Sequence, residues 1–326
     1  MRRFNLKQRL GSLQHEQWLT QALTTGHSLA LPELLQYRLQ RSSRLTPPKT
    51  NSARGRGGNQ LSKSKGRGME FDEVRHYQSG DDIRAIDWRV TARTGQTHTK
   101  LYREEKERPI FVFVDLSPSM HFGSRLLFKS VQASHLTASL AWRFARRGDR
   151  VGGLVYAGDT HHEIKPMGRD KGVLRLLQRL VIAHQEVVHT SSTSDKANNF
   201  QLNLQRLRHL VKTGAHVFII SDFHYLTDSC VRDLRALSQH NLVQAMLVTD
   251  PMELTLPNSP LTKVRVIDDE FTRDFWLGDS RTSTLYQRQA NAWLEQRQAL
   301  LAQAGISTSL VDAATPIASQ WEALKL

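Results

Sequence analysis

The sequence is poor in cysteine and in long apolar runs. Cys230 is its single cysteine in 326 residues, so no internal disulfide can form, which favours a reducing compartment. No stretch approaches the ~18 consecutive apolar residues of a membrane-spanning helix. The basic N-terminal residues 1–18 are not followed by the apolar segment of a signal peptide. These absences predict a cytoplasmic protein without a transmembrane segment.

Acidic residues are missing from the stretch between Leu34 and Met69, although the chain as a whole contains 31 of them against 45 Lys and Arg. The formal net charge of +14 favours acidic partners such as nucleic acid, an anionic membrane or an acidic protein. Residues 46–68 are rich in Gly, Ser and basic side chains and lack aromatic residues. We interpret them as a basic flexible linker. Nucleic-acid or anionic-surface binding through this arm is an alternative, but nucleic acid is not the expected partner.

The remaining residues divide into three segments. Residues 1–45 are expected to be largely helical, with an apolar stripe that begins at Leu31 and ends at Leu39. Residues 69–108 predict a small β-rich block of hairpins, because short apolar runs alternate with turns such as Ser79–Asp82. Residues 109–326 alternate strand and helix patterns, which predicts a doubly wound, mainly parallel α/β sheet with helices on both faces.

The most informative stretch is an apolar run, residues 110–114, that ends in Asp115, Ser117 and Ser119. A second apolar run, residues 215–220, ends in Ser221 and Asp222. Ligand sites of open α/β sheets lie at the carboxyl ends of the strands, and these hydroxyl and carboxylate oxygens suit Mg²⁺. The competing interpretation is helix capping by Ser and Asp, but capping alone does not explain three alternating residues and a second aspartate at another strand end.

The block at residues 69–108 concentrates carboxylates and arginines. One interpretation is acid/base or two-metal hydrolysis. We favour an ion-paired structural block that packs through Ile83, Ile86 and Trp88, because no nucleophile accompanies the carboxylates. A docking surface for a partner is a third interpretation. Its candidate residues are Arg75, Asp81, Asp82, Arg84, Asp87 and Trp88.

Two motifs carry a resemblance to known families. The pattern Asp115-x-Ser117-x-Ser119, followed by alternating elements and a strand ending at Asp222, resembles a von Willebrand factor A domain with its metal-ion-dependent adhesion site. The longer stretch at residues 66–88, GRGMEFDEVRHYQSGDDIRAIDW, is similar to the signature of the bacterial family called domain of unknown function 58. The resemblance covers roughly residues 30–314.

The resemblance implies a fold and a set of ligands. It implies a von Willebrand factor A-like sheet with Asp115, Ser117 and Ser119 as the first ligand loop and Asp222 as a late aspartate that binds through water. Those adhesion domains also use a threonine from a Gly-Thr pair, which this chain lacks at the expected place. Thr193 is the candidate, with Asn198 or Asn199 as alternatives. The implied cofactor is Mg²⁺, with Mn²⁺ or Ca²⁺ as alternatives.

The resemblance also implies partners. Members of the family typically accompany MoxR-type AAA+ ATPases and other von Willebrand factor A-like proteins. The expectation is therefore a non-enzymatic, metal-dependent protein-interaction module that helps to assemble or activate a protein complex, with an acidic side chain of a client completing the metal. A metal-dependent phosphoester or nucleic-acid hydrolase is the alternative.

Overall fold

The computed structural model describes residues 15–39, 69–104, 109–188, 196–267 and 272–324. The predicted linker at residues 46–68 and Thr193 lie outside the described residues. Residues 69–104 belong to one compact unit, and the other described residues belong to a second. Over the described residues, no helix is both long and apolar enough to cross a bilayer.

The elements in chain order are as follows. The first segment has a helical turn at residues 15–21, then α1 (Leu31–Leu35) and a 3₁₀ turn (Gln36–Arg38). The smaller unit contains β1 (Met69–His76), a 3₁₀ turn (Ile83–Ala85), α2 (Trp88–Thr94) and β2 (His98–Glu104). The larger unit continues with β3 (Pro109–Asp115), a 3₁₀ turn (Pro118–Met120), α3 (Lys129–Arg146), β4 (Arg150–Ala157), β5 (Thr160–Met167), α4 (Arg169–Val188), α5 (Lys196–Leu210), β6 (His216–Ser221), α6 (Asp228–Ser238), β7 (Leu242–Thr249), α7 (Pro251–Leu254), β8 (Thr262–Ile267), β9 (Thr272–Leu277), α8 (Ser280–Gln303), β10 (Ser307–Asp312) and α9 (Ile317–Gln320).

The central sheet has six strands in the order β10-β7-β6-β3-β4-β5. Every neighbouring pair is parallel except β4 with β5. This confirms the predicted α/β class with a mainly parallel sheet. Strands β3 and β6 are adjacent and parallel, so the polar residues that follow them meet at one edge of the sheet.

Both faces of β3 are buried, which explains its unbroken apolar run. Val112 and Val114 join one hydrophobic cluster with α3 and α4. Phe111 and Phe113 join a second cluster with α5, α6 and the end of α8. The sheet is therefore covered by helices on both faces, as the sequence predicts.

Within the described residues 15–39, the N-terminal segment is helical at residues 15–21 and 31–38, in short pieces rather than in one continuous helix. Its apolar stripe is also shorter than expected. Leu34 is fully buried against the main core, but Leu39 is 84% exposed. Tyr37, which the stripe omitted, is buried instead.

Part of the predicted β-rich block is helical. The alternating apolar residues at 86–90 favour a strand, but Asp87 caps α2 there by accepting from the backbone N–H groups of Arg89 and Val90. Strand β8 does not join the central sheet. It pairs with β9 in a separate two-stranded antiparallel sheet.

Candidate functional site

The loop after β3 folds around Asp115, which is fully buried. Its Oδ1 accepts a hydrogen bond of 2.8 Å from the backbone N–H of Ser117. This turn places the hydroxyl oxygens of Ser117 and Ser119 3.2 Å apart. Ser117 is fully buried and Ser119 is half-buried. The loop therefore holds one carboxylate and two hydroxyls together.

The end of β6 joins this loop through Ser221. The Ser221 hydroxyl donates to Asp115 Oδ2 at 2.6 Å and accepts from the backbone N–H of Phe223 at 2.8 Å. Phe223 adopts a positive φ of 52°, a conformation that is uncommon for a bulky side chain. The neighbouring Asp222 is 2% exposed, and its Oδ1 accepts from the N–H of His224 at 3.0 Å. The structure thus brings together the two strand ends that the sequence analysis paired.

Lys129, which the sequence analysis did not identify, is the cation of this site. It is the first residue of α3 and is 2% exposed. Its Nζ lies 2.8 Å from Asp222 Oδ2 and 2.5 Å from Glu253 Oε1. Glu253 in turn accepts from the N–H of Asp250 at the start of α7. The signal in the sequence is faint, because Lys129 and its partners are far apart along the chain.

The two buried aspartates have different electrostatic surroundings. Burial and the nearby charge of Asp222 raise the pKa of Asp115 to about 6. Burial also opposes ionisation of Asp222, but the attraction of the Lys129 ammonium outweighs burial and lowers the pKa of Asp222. Within the described part of the chain, Asp115 has hydrogen-bond donors but no ion-pair partner.

The donor set differs from a site made of acidic and imidazole ligands. Among the residues that the structure describes, no group of three or more His, Cys, Asp or Glu side chains is placed to hold a metal ion. A metal held here would therefore depend on the serine hydroxyls. Octahedral Mg²⁺ with bonds of about 2.1 Å places adjacent ligands about 3 Å apart, and the two hydroxyl oxygens are 3.2 Å apart. The spacing of the two hydroxyls thus fits adjacent positions around a small divalent cation.

The threonine position of the predicted site is not defined by the described residues, because Thr193 lies outside them. Asn199, an alternative, lies in α5 and donates from Nδ2 to Asp159 Oδ1 at 3.1 Å. Asn198 also lies in α5. The residue that takes the threonine position of the ligand set therefore stays a prediction.

The acidic candidates in the smaller unit stabilise its local turns. Arg75 forms an ion pair of 2.7 Å with Asp81. Asp82 accepts from the N–H of Arg84, and Asp87 caps α2. Trp88 is exposed.

The expected packing of this unit through Ile83 and Trp88 is wrong, because these side chains are 65% and 67% exposed. Ile86 is half-buried. The contacts of the carboxylates support the interpretation of an ion-paired structural block. The exposed side chains of Trp88 and Arg84 are accessible to a partner.

The fold and the site define an α/β protein with a carboxylate and hydroxyl cluster at the carboxyl edge of its central sheet. Residues 73–298 match the family model described as protein of unknown function DUF58. The chain belongs to this bacterial family, which confirms the family part of the resemblance.

Similar proteins include the uncharacterized protein Rv1480 of Mycobacterium tuberculosis, which is 30% identical over 62% of this chain and 61% of the relative. The uncharacterized protein YeaD of Bacillus subtilis is 25% identical over 43% of this chain and 33% of the relative. The chain therefore spans about three fifths or less of the length of these relatives.

Known structures with some likeness include BatB from Bacteroides thetaiotaomicron, with 13% identity and a TM-score of 0.39 over 67% of this chain and 96% of that chain. Another is an aerotolerance-related membrane protein from Bacteroides fragilis, with 14% identity and a TM-score of 0.39 over 67% and 98% of the two chains.

Proposed function

We propose that this protein is a divalent-cation-dependent protein-interaction module with a von Willebrand factor A-like sheet. The observation that carries the proposal is the buried Asp115 carboxylate, which has no ion-pair partner among the described residues and lies in the same loop as two hydroxyls 3.2 Å apart. A buried carboxylate without a cation is costly, and a bound cation removes that cost.

Mg²⁺ is the proposed ion, with Mn²⁺ or Ca²⁺ as alternatives. Asp115, Ser117 and Ser119 would form the first ligand loop, while Asp222 would hold the ion through water. When bound, the ion supplies a positively charged acceptor for an anionic group. Because few carboxylates contact it directly, it retains affinity for an acidic side chain of a client protein.

The proposed partner is a MoxR-type AAA+ ATPase, with other von Willebrand factor A-like proteins as further partners in assembling or activating a complex. Membership of the family supports this partner, because the resemblance of the signature at residues 66–88 implies it. The exposed Arg84 and Trp88 are proposed to add contacts outside the metal site. The proposal assigns the module to the bacterial cytoplasm and assigns it no catalytic step.

The test measures binding of the purified protein to the MoxR-type ATPase of the same bacterium by biolayer interferometry, with Mg²⁺ or with EDTA. We expect binding in Mg²⁺ that is lost in EDTA and in the double variant Ser117→Ala/Ser119→Ala. The matched control is Ser319→Ala, which removes an exposed hydroxyl that donates to the carbonyl of Pro316 and which we expect to leave binding unchanged. Binding that persists in EDTA and in the double variant would contradict the metal-dependent proposal.

A further inference from the structure

The ammonium of Lys129 lies in an environment that opposes a positive charge. It is 2% exposed, and Lys129 is the first residue of α3, where the aligned peptide dipoles favour negative rather than positive groups. A buried charge persists only when it is well paired. The carboxylates of Asp222 and Glu253 supply that pairing. The lysine is thus a permanent positive charge of the site.

The ion pairs of Lys129 divide the carboxylates of the site into two groups. Asp222 and Glu253 lie 2.8 Å and 2.5 Å from its Nζ. Asp115 instead accepts hydrogen bonds from Ser117 and Ser221. Among the described residues, the charge of Asp222 is therefore compensated by an ion pair, and that of Asp115 is not.

We propose that Lys129 is a resident cation that sets the affinity of the site for a divalent ion by repelling it and by holding Asp222 out of direct coordination. This inference rests on the proposed function. Asp115 is then the carboxylate left to compensate the divalent ion. The ion therefore binds weakly to the free protein, and once bound it retains a high affinity for the carboxylate of a partner. Lys129 lowers intrinsic metal affinity and makes the bound metal a better acceptor for an acidic partner.

Two roles of Lys129, a structural one and an electrostatic one, predict different changes in Mg²⁺ affinity. If the triad of Lys129, Asp222 and Glu253 only held the loops in place, breaking it from either end would weaken Mg²⁺ binding. If the charge matters, removing the ammonium strengthens Mg²⁺ binding and removing the Glu253 carboxylate weakens it. The sign of the two changes therefore separates the explanations.

The experiment measures Mg²⁺ affinity of the full chain by isothermal titration calorimetry, with a fluorescence thermal melt of each protein with and without Mg²⁺. We expect Lys129→Met to bind Mg²⁺ at least tenfold more tightly than the wild type and to gain more in melting temperature on Mg²⁺ addition. We expect Glu253→Gln to bind at least threefold more weakly. Ser319→Ala is the control that leaves affinity unchanged.

A second comparison covers the case in which Lys129→Met does not fold. The double variant Lys129→Met/Glu253→Gln removes one positive and one negative charge, and we expect it to bind Mg²⁺ at least tenfold more tightly than Glu253→Gln alone. If the wild type binds Mg²⁺ but removal of Lys129 leaves affinity equal or lower, the inference is overturned and the proposed function stands. If neither the wild type nor any variant binds Mg²⁺, both are overturned.

Discussion

Helix α3 contributes to two largely buried polar clusters that differ in how their charges are compensated. The charged cluster consists of Asp115, Lys129, Asp222 and Glu253. The N-terminal relay consists of Glu33, Tyr37 and His135, each at most 5% exposed. In the relay, the Tyr37 hydroxyl lies 2.8 Å from His135 Nδ1, and His135 Nε2 lies 3.2 Å from Glu33 Oε2.

The relay is satisfied by its own donors and acceptors. One histidine tautomer accounts for both contacts, with Tyr37 donating to Nδ1 and Nε2–H donating to Glu33. The other oxygen of Glu33 accepts from the backbone N–H of Ala30. Such a closed network fixes the N-terminal segment on the core. The charged cluster instead leaves Asp115 without a cation among the described residues, which is the pattern expected of a functional site.

The largest expected effect tests the charged cluster. Asp115→Asn can keep an oxygen that accepts from the Ser117 N–H and turn its amide N–H towards the Ser221 hydroxyl oxygen, but it removes the charge, so we expect Mg²⁺ affinity to fall by about 100-fold or more. The metal-free protein should melt at the same temperature or higher, because a buried charge next to Asp222 is gone. Calorimetry and a thermal melt measure the two quantities. A large loss of melting temperature with unchanged affinity would show that Asp115 is structural.

A substitution in the N-terminal relay should lower stability and leave Mg²⁺ affinity unchanged. Glu33→Ala removes the helix-capping acceptor and leaves the buried Nε2–H of His135 without its Glu33 acceptor, so we expect the free energy of unfolding to fall by about 3 kcal/mol. Mg²⁺ affinity should not change. Urea denaturation measures the first quantity and calorimetry the second. Glu16→Ala, at an exposed position of the first helical turn, is the control, and a weakened Mg²⁺ site in Glu33→Ala would break the separation of the two clusters.

The sequence predicts the strand ends that carry Asp115 and Asp222, because the patterns that mark them are local. The apolar run before Asp115 marks a buried strand, and the run at residues 215–220 marks β6. The meeting of Asp115 and Asp222 then follows from the parallel topology. Lys129 could not be found in this way, because its partner Glu253 is 124 residues away and no periodic pattern marks a buried ion pair.

The smaller unit shows a second limit of prediction from the sequence. Residues Ile86, Trp88 and Val90 alternate with polar residues, which is typical of a strand. The structure has a helix there because Asp87 caps two backbone N–H groups, and Gly95 ends the helix with a φ of 74°. Two capping contacts thus outweigh a period-two pattern over five residues. A pattern this short does not distinguish a strand from a capped helix.

The smallest expected effect is a difference in acid response between the two regions. His184 is 2% exposed, lies 3.1 Å from the Ser130 hydroxyl on α3 and is influenced by the charge of Glu33. Burial and the neighbouring His121 lower its pKa to about 4. The unfolded chain takes up this proton first as the pH falls, so the contribution to stability present above pH ~6.5 is lost progressively towards pH 4. We expect a loss of about 2 kcal/mol by pH 5.

Asp115 should act with the opposite sign over a similar range. Its pKa in the folded protein, about 6, lies above the unfolded value, so the folded state takes up this proton first and gains stability as the pH falls from about 6 towards 4. Urea denaturation at pH 7.5 and pH 5 separates the two contributions. His184→Gln should lose less stability on acidification than the wild type, and Asp115→Asn should lose more. Equal acid responses of the wild type and both variants would show that neither buried group changes its proton occupancy on folding.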